Sequence, residues 1–249
     1  MPSTTTPSSR TIRTRSPTLS PCSRSNSPAL PLYSDNTLTP DPSFQGGLGL
    51  KVAIVEYGVG NLNSVYRAVK HLGHEPVVTD DPSELHDADA VILPGVGNFR
   101  AAAEKLEETG LCDEIRELLG SVPLLGICLG MQLLMESSEE SPESRGLGVF
   151  RGTCVALPND VKTPHMGWNT VEFRTEEFRE FDGEMFYFVH SYRVAPEDDV
   201  VLGETEYGER FPSVIGDRGR LIYGMQFHPE KSGPVGLKLL GEVLTGASR

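Results

Sequence analysis

Cys128 lies between two glycines, Gly126 and Gly130, and directly follows a short apolar run that begins at Pro123. Strand–turn–helix elbows present a nucleophile in this pattern, because side chains flanking it would clash in the tight turn. Such a turn would lift the thiol out at the carboxyl edge of a sheet, at a helix N-terminus whose dipole favours a thiolate. A lone cysteine in an apolar run is more often a small buried residue, so other residues must support the chemistry.

A candidate base for this thiol lies near the end of the chain, in residues 224–230. We predict an apolar strand that ends in His228-Pro229-Glu230, in which residues two apart share a face. Pro229 fixes φ and is predicted to keep the segment extended. Glu230 would then orient the His228 ring while the ring accepts the thiol proton. A structural histidine at a strand end is the alternative for His228 taken alone.

A glycine-containing loop, Pro94-Gly95-Val96-Gly97, supplies a candidate anion site. It follows one predicted strand and precedes a predicted helix, and its glycines let backbone N–H groups approach a ligand. The N–H groups of Gly95, Val96 and Leu129 are predicted to bind the oxyanion of a tetrahedral intermediate. An ordinary glycine-rich turn is the alternative. The Cys128 turn, the His-Pro-Glu segment and the glycine loop each lie at the end of a predicted strand, and together they favour an active site.

Predicted strands and helices, which must position these residues, alternate from Lys51 onward. Apolar runs predict strands over residues 51–56, 76–78, 90–93 and 123–127, and helical spacing predicts helices over 62–72, 101–106, 111–119 and 131–136. This alternation predicts an α/β fold with a central, mostly parallel sheet flanked by helices. Residues 149–226 are richer in short strands and turns, which predicts additional antiparallel strands, and a last helix is predicted over 235–244.

The charge of the chain excludes some classes of partner. The formal net charge is −13, and residues 1–50 carry +2, so the remainder carries −15. Nucleic acid is not an expected partner, because phosphate binding needs clustered Lys and Arg. A membrane partner is not expected either, since no stretch approaches the roughly 18–20 apolar residues of a span. The acidity fits an ordinary acidic protein or a high-salt cytosol, and both explanations stay open.

The first fifty residues differ in composition from the remainder. They are crowded with Ser, Thr and Pro and lack a period of 2 or 3.6. We predict a disordered tail and linker over 1–50 and a single domain over 51–249. A transit peptide, an inert tail and a misassigned start codon are the alternatives for the tail. The four cysteines have no C-x-x-C spacing, which argues against a zinc site and for a cytoplasmic protein with free thiols.

The glycine-flanked Cys128, the loop over 94–97 and His228-Pro229-Glu230 together resemble the class I glutamine amidotransferases. The chain is most similar to the glutaminase subunits of imidazole glycerol phosphate synthases. Residues 57–62, 126–132, 164–169, 187–192 and 226–233 carry the closer resemblance. The similarity covers about residues 51–244 and implies the flavodoxin-like fold of class I glutamine amidotransferase domains.

The resemblance implies a specific reaction. Cys128 would attack the side-chain amide of glutamine, form a thioester and release glutamate. The ammonia would pass to a (β/α)8-barrel cyclase subunit in a heterodimer, which makes imidazole glycerol phosphate and aminoimidazole carboxamide ribotide in histidine biosynthesis. No metal ion and no organic cofactor are implied. The oxyanion loop of this family can rest inactive until the partner's ligand binds, so negligible activity is expected of the chain alone.

Two sets of residues gain roles from the resemblance. The amino-acid head of glutamine would be held by Gln132, Ser191 and Tyr192. The face that meets the cyclase would include Asn61, Trp168 and Lys231. A stand-alone γ-glutamyl hydrolase of the same fold is the alternative function, and the partner-facing segments argue against it. A non-catalytic binding module is a further alternative, which the intact triad argues against.

Overall fold

The computed structural model describes Met1, residues 49–58 and residues 60–246. The predicted tail over 1–50 therefore lies outside the described residues, except for Met1, Gly49 and Leu50. Within the described ranges, no helix is both long and apolar enough to cross a membrane.

Helices and strands alternate through the first half of the described chain. The helices are α1 (Leu62–His71), α2 (Pro82–Leu85), α3 (Phe99–Glu108), α4 (Leu111–Leu118), α5 (Leu129–Leu133) and α6 (Gly233–Thr245). The strands are β1 (Lys51–Val55), β2 (Glu75–Thr79), β3 (Ala90–Gly95), β4 (Leu124–Cys128), β5 (Ser137–Ser138), β6 (Gly152–Ala156), β7 (His165–Thr170), β8 (Glu172–Phe173), β9 (Met185–His190), β10 (Tyr192–Pro196), β11 (Val201–Tyr207), β12 (Glu209–Asp217) and β13 (Ile222–Met225).

The main sheet has eight strands in the order β2-β1-β3-β4-β13-β12-β11-β8. The first five are parallel, and the last three pair antiparallel. The predicted α/β architecture with extra antiparallel strands is confirmed. Alternate residues of β1 pack into different clusters: Val52 and Ile54 into one, Ala53 and Val55 into the other. Burial on both faces explains why the parallel strands are continuous apolar runs.

The carboxyl ends of β3, β4 and β13 meet at one edge of this sheet. The three strands are neighbours and parallel, and their register pairs Gly95 with Cys128 and Ile127 with Met225. Ligands of open α/β sheets bind outside this edge, because the loops that follow each strand converge there. The loop after Gly95, the turn after Cys128 and the segment after Met225 are therefore brought together by the topology.

The predicted extension of the His-Pro-Glu segment is wrong. The strand β13 ends at Met225, and Pro229–Lys231 form a 3-10 turn. Proline has its φ already set for the first position of a helical turn and has no N–H to leave unpaired there. Pro229 therefore starts a turn, where we had expected it to prolong the strand.

Other differences concern the ends of elements. The strand β3 continues through Gly95, where the sequence predicted an end at residue 93. The helix α3 starts at Phe99 because the side chain of Asn98 accepts a hydrogen bond from the N–H of Ala101 and caps it. The helix after Cys128 spans Leu129–Leu133, where residues 131–136 were predicted. The short helix α2 was not predicted.

In the described part of the chain, two small sheets lie outside the main one, and the ribbon formed by β7 and β9 matters most for the site. The two strands pair antiparallel, with His165 opposite His190 and Trp168 opposite Tyr187. One face is buried and includes Phe188, while Trp168 is exposed on the other face. We call this pair of strands the β7–β9 ribbon. The second small sheet has the order β10-β6-β5.

Candidate active site

Cys128 occupies a strained turn between β4 and α5. Its φ of 54° and ψ of −108° are unusual for a residue with a side chain. Such conformations persist where the surrounding structure enforces them, and they concentrate at functional sites. A Cβ on Gly126 would lie 2.7 Å from the backbone of Gly130, and a Cβ on Gly130 would lie 1.8 Å from the carbonyl oxygen of Leu93. Neither position accepts a side chain, as predicted from the sequence.

The thiol of Cys128 is buried, with 5% of the residue exposed. Its Sγ lies 3.7 Å from the carbonyl oxygen of Val189 and 3.8 Å from Nε2 of Gln226, which donates to it. Gln226 is fully buried, and its Oε1 accepts a hydrogen bond from Nε2 of Gln132 at 3.2 Å. Gln226 thus links the nucleophile to a predicted substrate residue. We had not assigned it a role, although a polar side chain in a buried apolar run signals one.

His228 and Glu230 form a buried pair despite the turn between them. His228 Nδ1 lies 2.8 Å from Glu230 Oε1, and only 2% and 1% of the two side chains are exposed. His228 Nε2 is buried without a hydrogen-bond partner among the described residues. Because Nδ1 is held by the carboxylate, Nε2 is the ring nitrogen that remains available to the thiol.

Two opposing effects set the pKa of His228. Burial lowers it, but the interactions with Cys128 and Glu230 outweigh burial and raise the pKa to about 9. Cys128 contributes more to this rise of the His228 pKa than Glu230 does. The ring therefore carries a proton at neutral pH and can deliver it to a leaving group.

The raised pKa predicts a pH-dependent contribution to stability. A pKa raised from 6.5 to about 9 stabilises the fold fully below pH 6.5, and this contribution is lost as the pH rises through 9. Glu230→Gln should therefore lower the free energy of unfolding more at about pH 6 than at about pH 10. Denaturant unfolding at both pH values measures this. Glu176→Gln, at an exposed carboxylate, is the control and should show no such difference; an equal loss at both pH values for Glu230→Gln would contradict the assignment.

A cleft of about 250 Å³ opens next to Cys128. It is smaller than the roughly 300–1,000 Å³ of pockets for drug-sized ligands, so it suits a substrate of amino-acid size. The predicted site residues that line it with Cys128 are Val96, Leu129, Gln132, Ser191 and Tyr192. The cleft is also lined by Gly97 of the predicted anion loop, and by Glu140, Pro164, Val189 and His190, which were not predicted as site residues.

The glycine loop lies against the nucleophile as its position after β3 requires. Gly95 pairs with Cys128 in the sheet, and a Cβ on it would lie 2.6 Å from the Tyr57 hydroxyl and 2.9 Å from Leu129 Cβ. The Tyr57 hydroxyl donates a hydrogen bond to the carbonyl oxygen of Pro94. Burial, and then the proximity of Cys128, raise the pKa of Tyr57, so it stays a donor. Tyr57 therefore fixes the start of the loop beside Cys128.

Gln132 is held by two acceptors at the wall of the cleft. Its Nε2 donates to the carbonyl oxygen of Tyr192 at 3.0 Å and to Gln226 Oε1 at 3.2 Å. Both protons of the amide nitrogen are thereby used, which leaves Oε1 as the atom that can accept a hydrogen bond from a ligand.

These groups are arranged for acyl transfer. The Cys128 thiol lines the cleft, the His228 imidazole is held by the Glu230 carboxylate, and Val96 and Gly97 of the glycine loop line the same cleft. Nucleophile, base, orienting carboxylate and anion donors are the parts that this chemistry needs.

A family model described as glutamine amidotransferase class-I matches residues 53–242. The HisH subunit of imidazole glycerol phosphate synthase from Moorella thermoacetica is 50% identical over 194 residues, which cover 76% of this chain and 91% of that protein. The corresponding HisH subunit from Exiguobacterium sibiricum is 48% identical over 191 residues, which cover 77% and 93%. The chain belongs to the class I glutamine amidotransferases, in the family of the HisH subunits.

Solved structures of this class share the fold. A structure described as a glutamine amidotransferase superposes with a TM-score of 0.64 at 22% identity, and the match covers 78% of this chain and 98% of that one. A chain in the structure of PurLQS from Thermotoga maritima gives a TM-score of 0.62 at 19% identity, with coverage of 81% and 100%.

The remaining predicted residues of this HisH-family chain lie outside the cleft. Trp168 is 52% exposed on the β7–β9 ribbon and packs edge-to-face on Tyr187, with ring centroids 6.1 Å apart. Asn61 precedes α1, and its side chain donates to Ser64 Oγ at 2.9 Å. Lys231 ends the 3-10 turn that starts at Pro229. Asn61, Trp168 and Lys231 do not line the cleft, and their role in an interface stays a prediction.

Proposed function

We propose that this chain is the glutaminase subunit of an imidazole glycerol phosphate synthase. The observation that carries the proposal is Cys128, which lines the cleft in a strained turn, with the hydrogen-bonded pair His228 and Glu230 near it. The HisH subunits to which the chain is 44–50% identical support the same assignment.

In the proposed reaction the Cys128 thiolate attacks the side-chain carbonyl carbon of glutamine. The N–H groups of Gly95, Val96 and Leu129 stabilise the oxyanion of the tetrahedral intermediate. The His228 imidazolium gives its proton to the amide nitrogen, ammonia leaves and a thioester remains. His228 then takes a proton from water, which attacks the thioester and releases glutamate and the thiolate.

The amino-acid head of glutamine is held by side chains that line the cleft together with Cys128. We assign this role to Gln132, Ser191 and Tyr192, and we add Glu140. The carboxylate of Glu140 accepts from the N–H of Phe99 at 2.6 Å and lines the cleft, so its remaining acceptor sites suit an ammonium group.

The partner is the (β/α)8-barrel cyclase subunit in a heterodimer. The HisH relatives are named as subunits, which supports an assembly with another chain. The outward face of the β7–β9 ribbon exposes Met166, Trp168 and Met185, and aromatic anchors concentrate at interfaces.

The elements that carry the other interface residues adjoin this ribbon. Both α1, which follows Asn61, and β9 pack against the 3-10 turn that contains Lys231. The N–H of His228 donates to the carbonyl oxygen of Tyr187 at 2.9 Å, so the same ribbon is bonded directly to the triad. Ammonia formed at Cys128 would therefore arise close behind the surface that meets the cyclase.

We place the protein in the cytoplasm. Cys112, Cys128 and Cys154 are free thiols, which a reducing compartment maintains. The proposed nucleophile requires that environment, because an oxidised Cys128 cannot attack an amide.

Trp168→Ala should weaken the complex with the cyclase by about 30-fold, as expected when a buried aromatic anchor is removed from an interface. Isothermal titration of the purified subunits measures the dissociation constant. Arg179→Ala, at an exposed residue on the 3-10 turn Glu176–Phe181, is the matched control and should leave it unchanged. Equal affinity of Trp168→Ala and the unchanged protein would remove Trp168 from the interface.

A labelling experiment tests the proposed function as a whole. The complex with the cyclase is supplied with glutamine labelled with ¹⁵N in its side-chain amide and with the cyclase's nucleotide-derived substrate. We expect the label in imidazole glycerol phosphate, even when unlabelled ammonium is added at a moderate excess. Product without label, or label diluted fully by the added ammonium, would refute transfer between the subunits.

A further inference from the structure

Two buried histidines that the triad does not use face each other across the β7–β9 ribbon. His165 and His190 are register partners, and both are buried. Nδ1 of His165 lies 3.0 Å from Nε2 of His190. The outer nitrogens are also bonded: Nδ1 of His190 lies 2.9 Å from the carbonyl oxygen of Tyr192, and Nε2 of His165 lies 3.3 Å from Nδ2 of Asn169. All four ring nitrogens therefore have a partner.

The partners fix the direction of every hydrogen bond. The Tyr192 carbonyl only accepts, so His190 carries its proton on Nδ1, and Nε2 of the neutral ring is an acceptor. Nδ1 of His165 must then donate to His190, which leaves Nε2 of His165 as an acceptor for the amide of Asn169. That amide is oriented independently, because its Oδ1 accepts from the N–H of Thr170 at 2.8 Å and its Nδ2 donates to the carbonyl of Glu206 at 3.0 Å.

Both rings are neutral, as this direction requires. Burial lowers the pKa of His165 to about 4. Burial also lowers the pKa of His190 to about 3, because the hydrogen bond to the Tyr192 carbonyl only partly offsets it and the neighbouring His165 and His228 lower it further. A second proton on either ring would place two donors face to face.

The series of hydrogen bonds from Asn169 through His165 and His190 ends in the cleft. The Tyr192 carbonyl that accepts from His190 also accepts from Nε2 of Gln132 at 3.0 Å. Gln132, His190 and Tyr192 line the cleft together with Cys128. At its other end this series of hydrogen bonds begins at Asn169, which follows the exposed Trp168 on β7.

We propose that His165 and His190 are positioning residues for the substrate: their directional hydrogen bonds hold the Tyr192 carbonyl, and through it the Gln132 amide, in the orientation that binds the head of an α-amino acid. The pair thereby ties the placement of the β7–β9 ribbon to glutamine binding. This inference rests on the proposed glutaminase function, which it deepens at the same site.

Two substitutions of His165 separate hydrogen bonding from packing. His165→Asn places an amide N–H near the position of Nδ1 and keeps a donor to His190, whereas His165→Phe keeps the aromatic ring and removes the donor. In the complex with the cyclase, His165→Phe should raise KM for glutamine about tenfold, the expected result of leaving a buried acceptor unpaired. kcat should change far less, because the triad is untouched. His165→Asn should stay close to the unchanged protein.

A packing role predicts the reverse order. The His165 ring stacks on Tyr207 and Phe188, with centroids 3.9 and 4.8 Å away. If the ring serves only this stack, His165→Phe would keep KM and His165→Asn would raise it, and that order would overturn the proposal. Absence of turnover in the unchanged complex would instead overturn the proposed function, and with it the substrate role of the pair.

A spectroscopic readout tests the relay without any turnover. ¹⁵N-labelled protein should show both His165 and His190 as the Nδ1–H tautomer in two-bond ¹H–¹⁵N spectra, although free neutral histidine favours Nε2–H. The tautomer of His190 should persist in His165→Asn. An Nε2–H tautomer at His190 in the unchanged protein would overturn the proposal, and this measurement remains decisive if His165→Phe does not fold.

Discussion

Replacing Cys128 by Ala is expected to lower glutamate release by the complex at least about 10,000-fold, because loss of a triad nucleophile in hydrolases lowers kcat by up to about a millionfold. Cys128 lines the cleft, and no other described cysteine does. The variant should keep its fold, since Ala fits where Cys fits and the flanking glycines are unchanged. Glutamate release at saturating glutamine measures the effect.

Two comparisons make this result specific. Cys112→Ala, at a half-buried cysteine on α4, should keep activity within about twofold, as substitutions remote from a site usually do. With Cys128→Ala in the complex, ammonium salts should still support formation of imidazole glycerol phosphate by the cyclase. Glutamate release by Cys128→Ala at the level of Cys112→Ala would exclude Cys128 as the nucleophile.

Replacing His228 by Ala should have the second largest effect, a loss of about 1,000-fold or more in kcat. General acid–base groups contribute about 100- to 10,000-fold, and His228 is assigned both proton transfers of the reaction. Glu230→Gln should lose less, since Glu230 orients the ring through its 2.8 Å contact with Nδ1 and does not touch the substrate. Single-turnover assays of the complex at neutral pH give the order of the effects.

The test depends on which of the two substitutions, His228→Ala or Glu230→Gln, lowers kcat more. A larger loss for Glu230→Gln than for His228→Ala would mean that the carboxylate takes part in the chemistry directly. Glu176→Gln again serves as the control, because its carboxylate is exposed and forms an ion pair with Arg179. The unfolding midpoints of all variants must be compared, since the His228–Glu230 pair is buried.

The architecture was predictable because it depends on periodicity. Buried parallel strands are continuous apolar runs, so β1, β3 and β4 were located to within two residues at each end. Their alternation with helices then predicted that these strands run parallel, whereas the order of the strands in the sheet was not predicted. The need for glycine at positions 126 and 130 was also predictable from local sequence, since a tight turn leaves no room for a Cβ there.

The predictions that were wrong concern segments whose conformation depends on tertiary packing as well as on local sequence. Pro229 suits an extended segment and the first position of a turn equally well, and only packing of the segment against β9 and α1 selects the turn. His228 and Glu230 still meet, because residues two apart in a 3-10 turn also come close. The correct pair was therefore predicted for an incorrect reason.

Residues missed by sequence reasoning act through contacts distant in the chain. Gln226 and Gln132 are 94 positions apart, and Glu140 reaches Phe99 across 41. Glu140 follows Glu139 and resembles a solvated acidic run. His165 and His190 belong to segments used for the resemblance, but their direct bond follows only from the register of the β7–β9 ribbon.

Glutamate release from glutamine by the chain alone, and by the chain with the cyclase subunit and its nucleotide-derived substrate, tests the central claim most directly. We predict negligible release by the isolated chain and sustained turnover in the loaded complex, with Cys128→Ala inactive in both. Strong release without the cyclase would contradict the claim and identify a stand-alone hydrolase, and no release in the loaded complex would exclude a glutaminase.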